Sequence, residues 1–89
     1  MKAIVTVVGK DKVGIIAKVA VRLADFNINV LDISQTIFDG NFTMIMSVDL
    51  SQCSETFVSV KESLNKLGED LKVSIRIQRT EIFDAMYNI

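Results

Sequence analysis

The residue types that carry out catalysis in most enzymes are scarce in this chain. Histidine is absent and Cys53 is the sole cysteine. A cysteine nucleophile needs a base or an electropositive setting, and the residues next to Cys53 offer neither. The acidic residues are scattered singly except for Glu69 and Asp70, which fall where a helix-to-strand loop is expected. The sequence therefore predicts a protein that is not an enzyme, holds no metal or cofactor, and keeps an ordinary half-buried cysteine.

Two glycines in the N-terminal region are spaced like those of a phosphate-binding loop. Gly9 and Gly14 match that spacing, but Ile15 and Ile16 occupy the positions that require lysine and serine or threonine. The sequence therefore does not predict a nucleotide site. Gly14 has two remaining interpretations: it permits a tight turn, or it lets the backbone at a helix N-terminus approach a ligand carboxylate closely.

The composition predicts one small globular domain. The chain has 89 residues, 49% of them hydrophobic, no proline and a formal net charge of -1. A chain this short buries a modest share of its surface, which favours self-association. The weak charge predicts no attraction to nucleic acid or anionic membranes. The apolar run at the N-terminus is too short for a membrane span and unlike a signal peptide, so a cytoplasmic protein is expected.

The first half of the chain predicts a strand, a helix and a second strand. The β-branched run over residues 4–8 predicts β1, and the segment from Gly14 to about Phe26 predicts α1. One face of α1 carries Ile16, Val19, Ala20 and Leu23. Residues 30–38 predict β2, with imperfect alternation near Asp32 that indicates a bulge. The Asp39-Gly40 pair then predicts a tight hairpin turn.

The second half predicts a strand, a helix, a strand and a C-terminal tail. One face of β3 carries Phe42, Met44, Met46, Val48 and Leu50. Ser51 and Ser54 are candidate N-caps of α2, whose apolar positions recur until Gly68. Alternation over residues 73–78 predicts β4, and Thr80 could cap a short helix over residues 80–89. Such a helix would need to dock on this sheet, a second subunit or another protein.

The βαββαβ order predicts the α+β, ferredoxin-like fold. Two right-handed βαβ-like halves give a four-stranded antiparallel sheet with both helices on one face. The domain is predicted to cover residues 1–79 and the tail residues 80–89. The opposite sheet face carries Ile45, Ser47, Ser74 and Arg76 among its side chains. If it stays open to water, it could be a docking surface for the tail or another subunit.

The segments GKDKVGIIAKV (residues 9–19) and FNINV (residues 26–30) resemble the signature of ACT domains, regulatory modules of amino-acid metabolism that bind small molecules. The family usually has proline where Val13 stands, before the helix-opening Gly14. Residues 77–89 resemble the ending of small bacterial stand-alone ACT proteins of uncharacterised role. These proteins are similar to the ACT repeats of the glycine-cleavage repressor.

This resemblance implies a dimer and a ligand site. ACT domains typically bind amino acids where the β1–α1 loop of one subunit meets β2 of the other. Carried over by position, the ligand-binding residues would be Asp11, Val13, Gly14, Ile15 and Asn29. Asp11 could accept from an α-ammonium group, the N–H groups of Gly14 and Ile15 could meet a carboxylate, and the Asn29 amide could do both.

Several functions are compatible with these expectations. The leading one is an amino-acid-responsive module that dimerises and modulates a partner. The second is a ligand-independent protein-interaction module that uses the sheet face and the C-terminal tail. RNA-recognition domains share the βαββαβ order, but they need aromatic side chains on the open face and usually a basic surface.

Overall fold

The computed structural model describes residues 1–10 and 14–80. The elements follow in the order β1 (Lys2–Lys10), α1 (Ile15–Asp25), β2 (Asn29–Phe38), β3 (Asn41–Asp49), α2 (Phe57–Leu71) and β4 (Ser74–Arg79). The predicted βαββαβ order is confirmed. The helix predicted for the C-terminal tail lies, from residue 81 onward, outside the described residues.

The four strands form one antiparallel sheet with the order β2-β3-β1-β4. Both β1 and β2 are antiparallel to β3, so these two strands run in the same direction and α1 returns the chain between them. Both helices cover one face, which confirms the ferredoxin-like arrangement. Because β2 is at one end of this order, one of its two edges pairs with β3 and the other has no strand beside it among the described residues.

The core lies between the sheet and the helices, and the apolar periodicity of the sequence accounts for most of it. All five predicted core residues of β3 are buried. In α1 the buried side chains are Ile15, Val19 and Leu23, which recur every four residues. Ile16 was predicted on the buried face but is 39% exposed. The buried stripe starts one residue earlier than the sequence suggested.

Turn chemistry connects β2 to β3 as predicted. Asp39 and Gly40 have φ values of 53° and 77°, which are the positive angles that a type I′ hairpin requires. The predicted irregularity in β2 is also present, because the register shifts between Val30 and Asp32. Leu31 is the extra residue of this bulge.

The ends of α2 differ from the sequence prediction. Thr56 is the N-cap, and its hydroxyl oxygen accepts a hydrogen bond from the Ser59 N–H at 3.1 Å, so neither predicted serine has this role. The helix continues past Gly68 and ends where Lys72 adopts a left-handed conformation with φ 59°. The Val73 N–H then donates to the Gly68 carbonyl oxygen at 2.9 Å, as in a Schellman motif.

Gly68 does not end α2 but allows close packing against Val73. Substitution by alanine should therefore destabilise the protein. A Cβ atom at this position would lie 2.7 Å from the Val73 carbonyl oxygen, a backbone atom that cannot move independently. Gly68→Ala should therefore lower the free energy of unfolding by about 1–3 kcal/mol, although alanine gains about 1 kcal/mol in helix propensity. Urea denaturation measures this change. The control Asn65→Ala, on an exposed position of the same helix, should not destabilise; a Gly68→Ala variant as stable as wild type would contradict the packing argument.

Candidate functional site

Gly14 opens α1, as the sequence predicted. Its φ is 88°, in the left-handed region that favours glycine. Apart from its chain neighbours, no described residue has an atom within 4 Å of the place where a Cβ would be. No side chain caps the helix at this residue, and the first turn contains no acidic residue. The N–H groups of the first turn have no acceptor within the helix, so this end of α1 suits an anionic group.

Ile15, which was also predicted at this turn, can contribute only backbone groups to a ligand site. Its side chain is buried in the core, so only its backbone N–H could face a ligand. Asp11 and Val13 lie outside the described residues, and their assignment remains a prediction.

Asn29 follows a well-defined helix end. The α1 helix ends in a Schellman motif in which Asn27 has φ 58° and the Ile28 N–H donates to the Leu23 carbonyl oxygen at 3.0 Å. This motif turns the chain directly into β2, whose first residue is Asn29. The Asn29 side chain is exposed and therefore available to a ligand.

Gly14 and Asn29 lie at opposite ends of one protomer. The α1 helix has 11 residues and so is about 16 Å long, with Gly14 at its start and Asn29 beyond its end. The strand register also places them at opposite ends. Asn29 pairs with Asp49, and Asp49 pairs with Lys2 at the start of β1. Gly14, in contrast, follows the end of β1. A ligand the size of an amino acid cannot contact both residues within one chain.

An open cleft surrounds Asn29. Its volume is about 520 Å³, and it lies between the end of α1, the start of β2 and the turn that follows β3. The lining residues are Ala24, Asn27, Ile28, Asn29, Asp49, Ser51 and Gln52. The Ser54 N–H donates to the Phe26 carbonyl oxygen at 3.0 Å, which ties the turn after β3 to the end of α1. Both walls of the cleft are therefore held by the fold.

Asp49 supplies the carboxylate of this cleft. Its Oδ1 accepts a hydrogen bond from the Ser51 N–H at 3.0 Å. This backbone hydrogen bond, with a smaller contribution from the Ser51 hydroxyl, holds the pKa of the Asp49 carboxyl below its ordinary value. The carboxylate is consequently ionised at neutral pH. Asp49, Ser51 and Gln52 were not predicted as site residues, although the predicted pairing of β2 with β3 indicates Asp49 as a neighbour of Asn29.

Among the described residues, the remaining chemically active side chains form no second cluster. Cys53 is half-buried against the core, and its thiol donates to the Glu55 carbonyl oxygen at 3.4 Å. Within residues 1–10 and 14–80, no three potential metal ligands come together. Neither helix of this part of the chain is long and apolar enough to cross a membrane.

Over the described residues, a βαββαβ sandwich with helices on one sheet face, two edge strands (β2 and β4) and a glycine-opened helix defines a class of small domains with the ferredoxin-like fold. Residues 2–78 match the sequence profile of the ACT domain, and the chain belongs to the ACT domain family. ACT domains are commonly regulatory modules that bind small ligands. The resemblance predicted from the β1–α1 segment is confirmed.

The chain is similar in sequence and in structure to other proteins with this domain. A UPF0237 protein of Listeria monocytogenes is 55% identical over 89 residues, which cover 100% of both chains. The structure of an ACT domain protein from Streptococcus pneumoniae superimposes with a TM-score of 0.83 at 44% identity and covers 93% of each chain. A crystal structure assigned to a glycine cleavage system transcriptional repressor has a TM-score of 0.72 at 23% identity, over 86% of this chain and 44% of that one, and shows the shared fold.

Proposed function

We propose that this protein is a non-catalytic regulatory ACT module that forms a homodimer and binds an amino acid or similar small metabolite at the dimer interface. One observation carries the proposal: Gly14 and Asn29 lie at opposite ends of one protomer. It is supported by the outer edge of β2, which begins with Asn29 and pairs with no other strand among the described residues. A complete site therefore needs a second chain.

The exposed surface of β2 supports a dimer through this strand. All ten residues of β2 are exposed. Ile33 and Ile37 lie opposite the buried Met46 and Phe42, so they are on the helix-covered face of the sheet, yet they remain 46% and 59% exposed. A long edge strand with unpaired backbone groups and apolar side chains favours pairing with another strand.

Antiparallel pairing of two β2 strands would bring the two halves of the site together. An isologous two-fold interface pairs identical strands in opposite directions, so the Asn29 end of one strand lies beside the Phe38 end of its partner. The Phe38 end is also the end of the sheet where α1 begins with Gly14, because Phe38 pairs with Asn41, which pairs with Lys10. Each dimer would then contain two equivalent sites.

The chemistry of these residues suits an amino acid. The N–H groups at Gly14 and Ile15 favour a carboxylate, and the Asn29 amide has both donors and an acceptor. In this proposal Asp11 and Val13 belong to the same β1–α1 turn. Binding could alter the dimer or its contacts with a protein partner, which is how a module without catalytic groups would regulate.

Thermal unfolding with a panel of amino acids tests the proposal. A ligand at about 100 times its dissociation constant adds about 2.7 kcal/mol to the free energy of unfolding. Each kcal/mol raises Tm by about 4–8 °C in a domain of this size, so the expected shift is large and confined to one ligand or a related group. An unchanged Tm across the panel, with the dimer confirmed, would contradict a ligand-binding role.

A flat response would favour the alternative, a ligand-independent interaction module. The open sheet face supports this alternative because Val8 and Ile45, on the central strands, are exposed there. The C-terminal tail of residues 80–89 would belong to the same surface in this alternative. Pull-down of cellular proteins with and without residues 80–89 distinguishes the roles, since identical partners after the deletion would exclude the tail.

A further inference from the structure

Two groups at the cleft around Asn29 favour a cation, the C-terminal end of α1 and the Asp49 carboxylate. The α1 helix ends at this cleft, and the C-terminal end of a helix dipole favours a cation. Arg22 is the basic residue of the last turn, but its Nη1 donates to the Ser63 hydroxyl at 2.7 Å and so contacts α2 instead of the cleft. The negative end of the helix dipole and the Asp49 carboxylate therefore act in the same direction.

The Asp49 carboxylate is held in place by a hydrogen bond rather than by an ion pair. Its Oδ1 is occupied by the Ser51 N–H, and no ion pair with Asp49 occurs among the described residues. Lys2, its cross-strand neighbour, and the N-terminal ammonium group also lower the pKa of Asp49 by charge attraction, with a smaller effect than the Ser51 hydrogen bonds. A carboxylate beside neutral amides and a hydroxyl is suited to bind a primary ammonium group.

We propose that this cleft binds the ammonium group of the amino-acid ligand, with Asp49 as its anionic partner and Asn29 and Gln52 as hydrogen-bonding groups. This inference rests on the proposed function and deepens it, because it identifies Asp49 as a specificity-determining residue. A ligand with a carboxylate but no amine would be rejected at the cleft by charge repulsion. The carboxylate-binding turn at Gly14 of the partner protomer would have the opposite preference.

Three small probes separate the charge requirements. Glycine carries both charged groups common to all α-amino acids, glycinamide keeps the ammonium group alone, and glycolate keeps the carboxylate alone. In an NMR titration of the full chain, glycine and glycinamide should shift the backbone amide signals of Asn29, Ser51 and Gln52, and glycolate should not. Equal shifts with glycolate, or none with glycinamide, would overturn the ammonium site.

Asp49→Asn tests the residue itself. Asparagine keeps an Oδ1 acceptor for the Ser51 N–H, so the turn should persist while the charge is removed. Affinity for glycinamide should fall at least tenfold, and the control Asp70→Asn, on an exposed position of α2, should bind like wild type. Unchanged affinity in Asp49→Asn, or a loss only in Asp11→Asn, would overturn the assignment. If amino acids still raised the Tm of Asp49→Asn, and this response still required Gly14, the proposed function would be supported and the role of Asp49 would be wrong.

Discussion

The double substitution Ile33→Lys and Ile37→Lys is expected to convert the dimer into a monomer. Both side chains lie on the edge strand and are already 46% and 59% exposed, so lysine should not disturb the core of one chain. In a β2–β2 dimer the same positions would be covered by the partner. The two lysines at position 33 would then lie close to the two-fold axis and repel one another, and all four would lose solvation in the interface.

Sedimentation equilibrium measures this change directly. The wild-type protein should sediment at twice the 9.9 kDa mass of one chain, and the variant at the mass of one chain. Val58→Lys is the matched control, because Val58 is 62% exposed on α2, which packs against β4 at the opposite end of the sheet from β2. A double variant that remains dimeric would show that the interface lies elsewhere and would remove the argument for a shared ligand site.

Gly14→Asp is expected to abolish the ligand response while the fold survives. The described residues leave space for a side chain at this position, and aspartate tolerates the left-handed conformation better than most residues. A new carboxylate at the start of α1 would occupy the position proposed for the ligand carboxylate and repel it. The Tm shift produced by amino acids should disappear, which corresponds to a loss of affinity of at least about tenfold, or 1.4 kcal/mol.

Gly14→Asn separates charge from backbone strain in this experiment. Asparagine has nearly the same size as aspartate and also tolerates a positive φ, but it carries no charge. It should therefore have a Tm without ligand close to that of Gly14→Asp and should retain more of the ligand response. If Gly14→Asp responded as fully as wild type, the β1–α1 turn would not be part of the ligand site.

The sequence by itself determined the elements whose signals are local. Strict alternation along β3 placed Phe42 and its partners in the core, and the Asp39-Gly40 pair specified the hairpin, because strand period and turn angles depend on neighbouring residues alone. The start of α1 at Gly14 was likewise predictable. The element order and the family signature then sufficed to predict the fold.

Features that depend on packing between distant segments needed the tertiary structure. Thr56 caps α2 although Ser51 and Ser54 were equally plausible, because several capping residues stand close together and the approach of the chain from β3 selects among them. Gly68 looked like a helix end, yet its role is the close approach of Val73. Neither distinction is encoded in residue type.

Some residues of the candidate site could be predicted from local sequence, and others needed the tertiary structure. Gly14 and Asn29 could be singled out from the sequence because a helix start and a strand start are local features. Only the strand order showed that these residues lie at opposite ends of a protomer. Asp49 lies in the site because β3 pairs with β2, which brings Asn29 and Asp49, 20 positions apart in the sequence, into one cleft. Pairing between strands is a long-range interaction, so only the folded chain decides which side chains share a site.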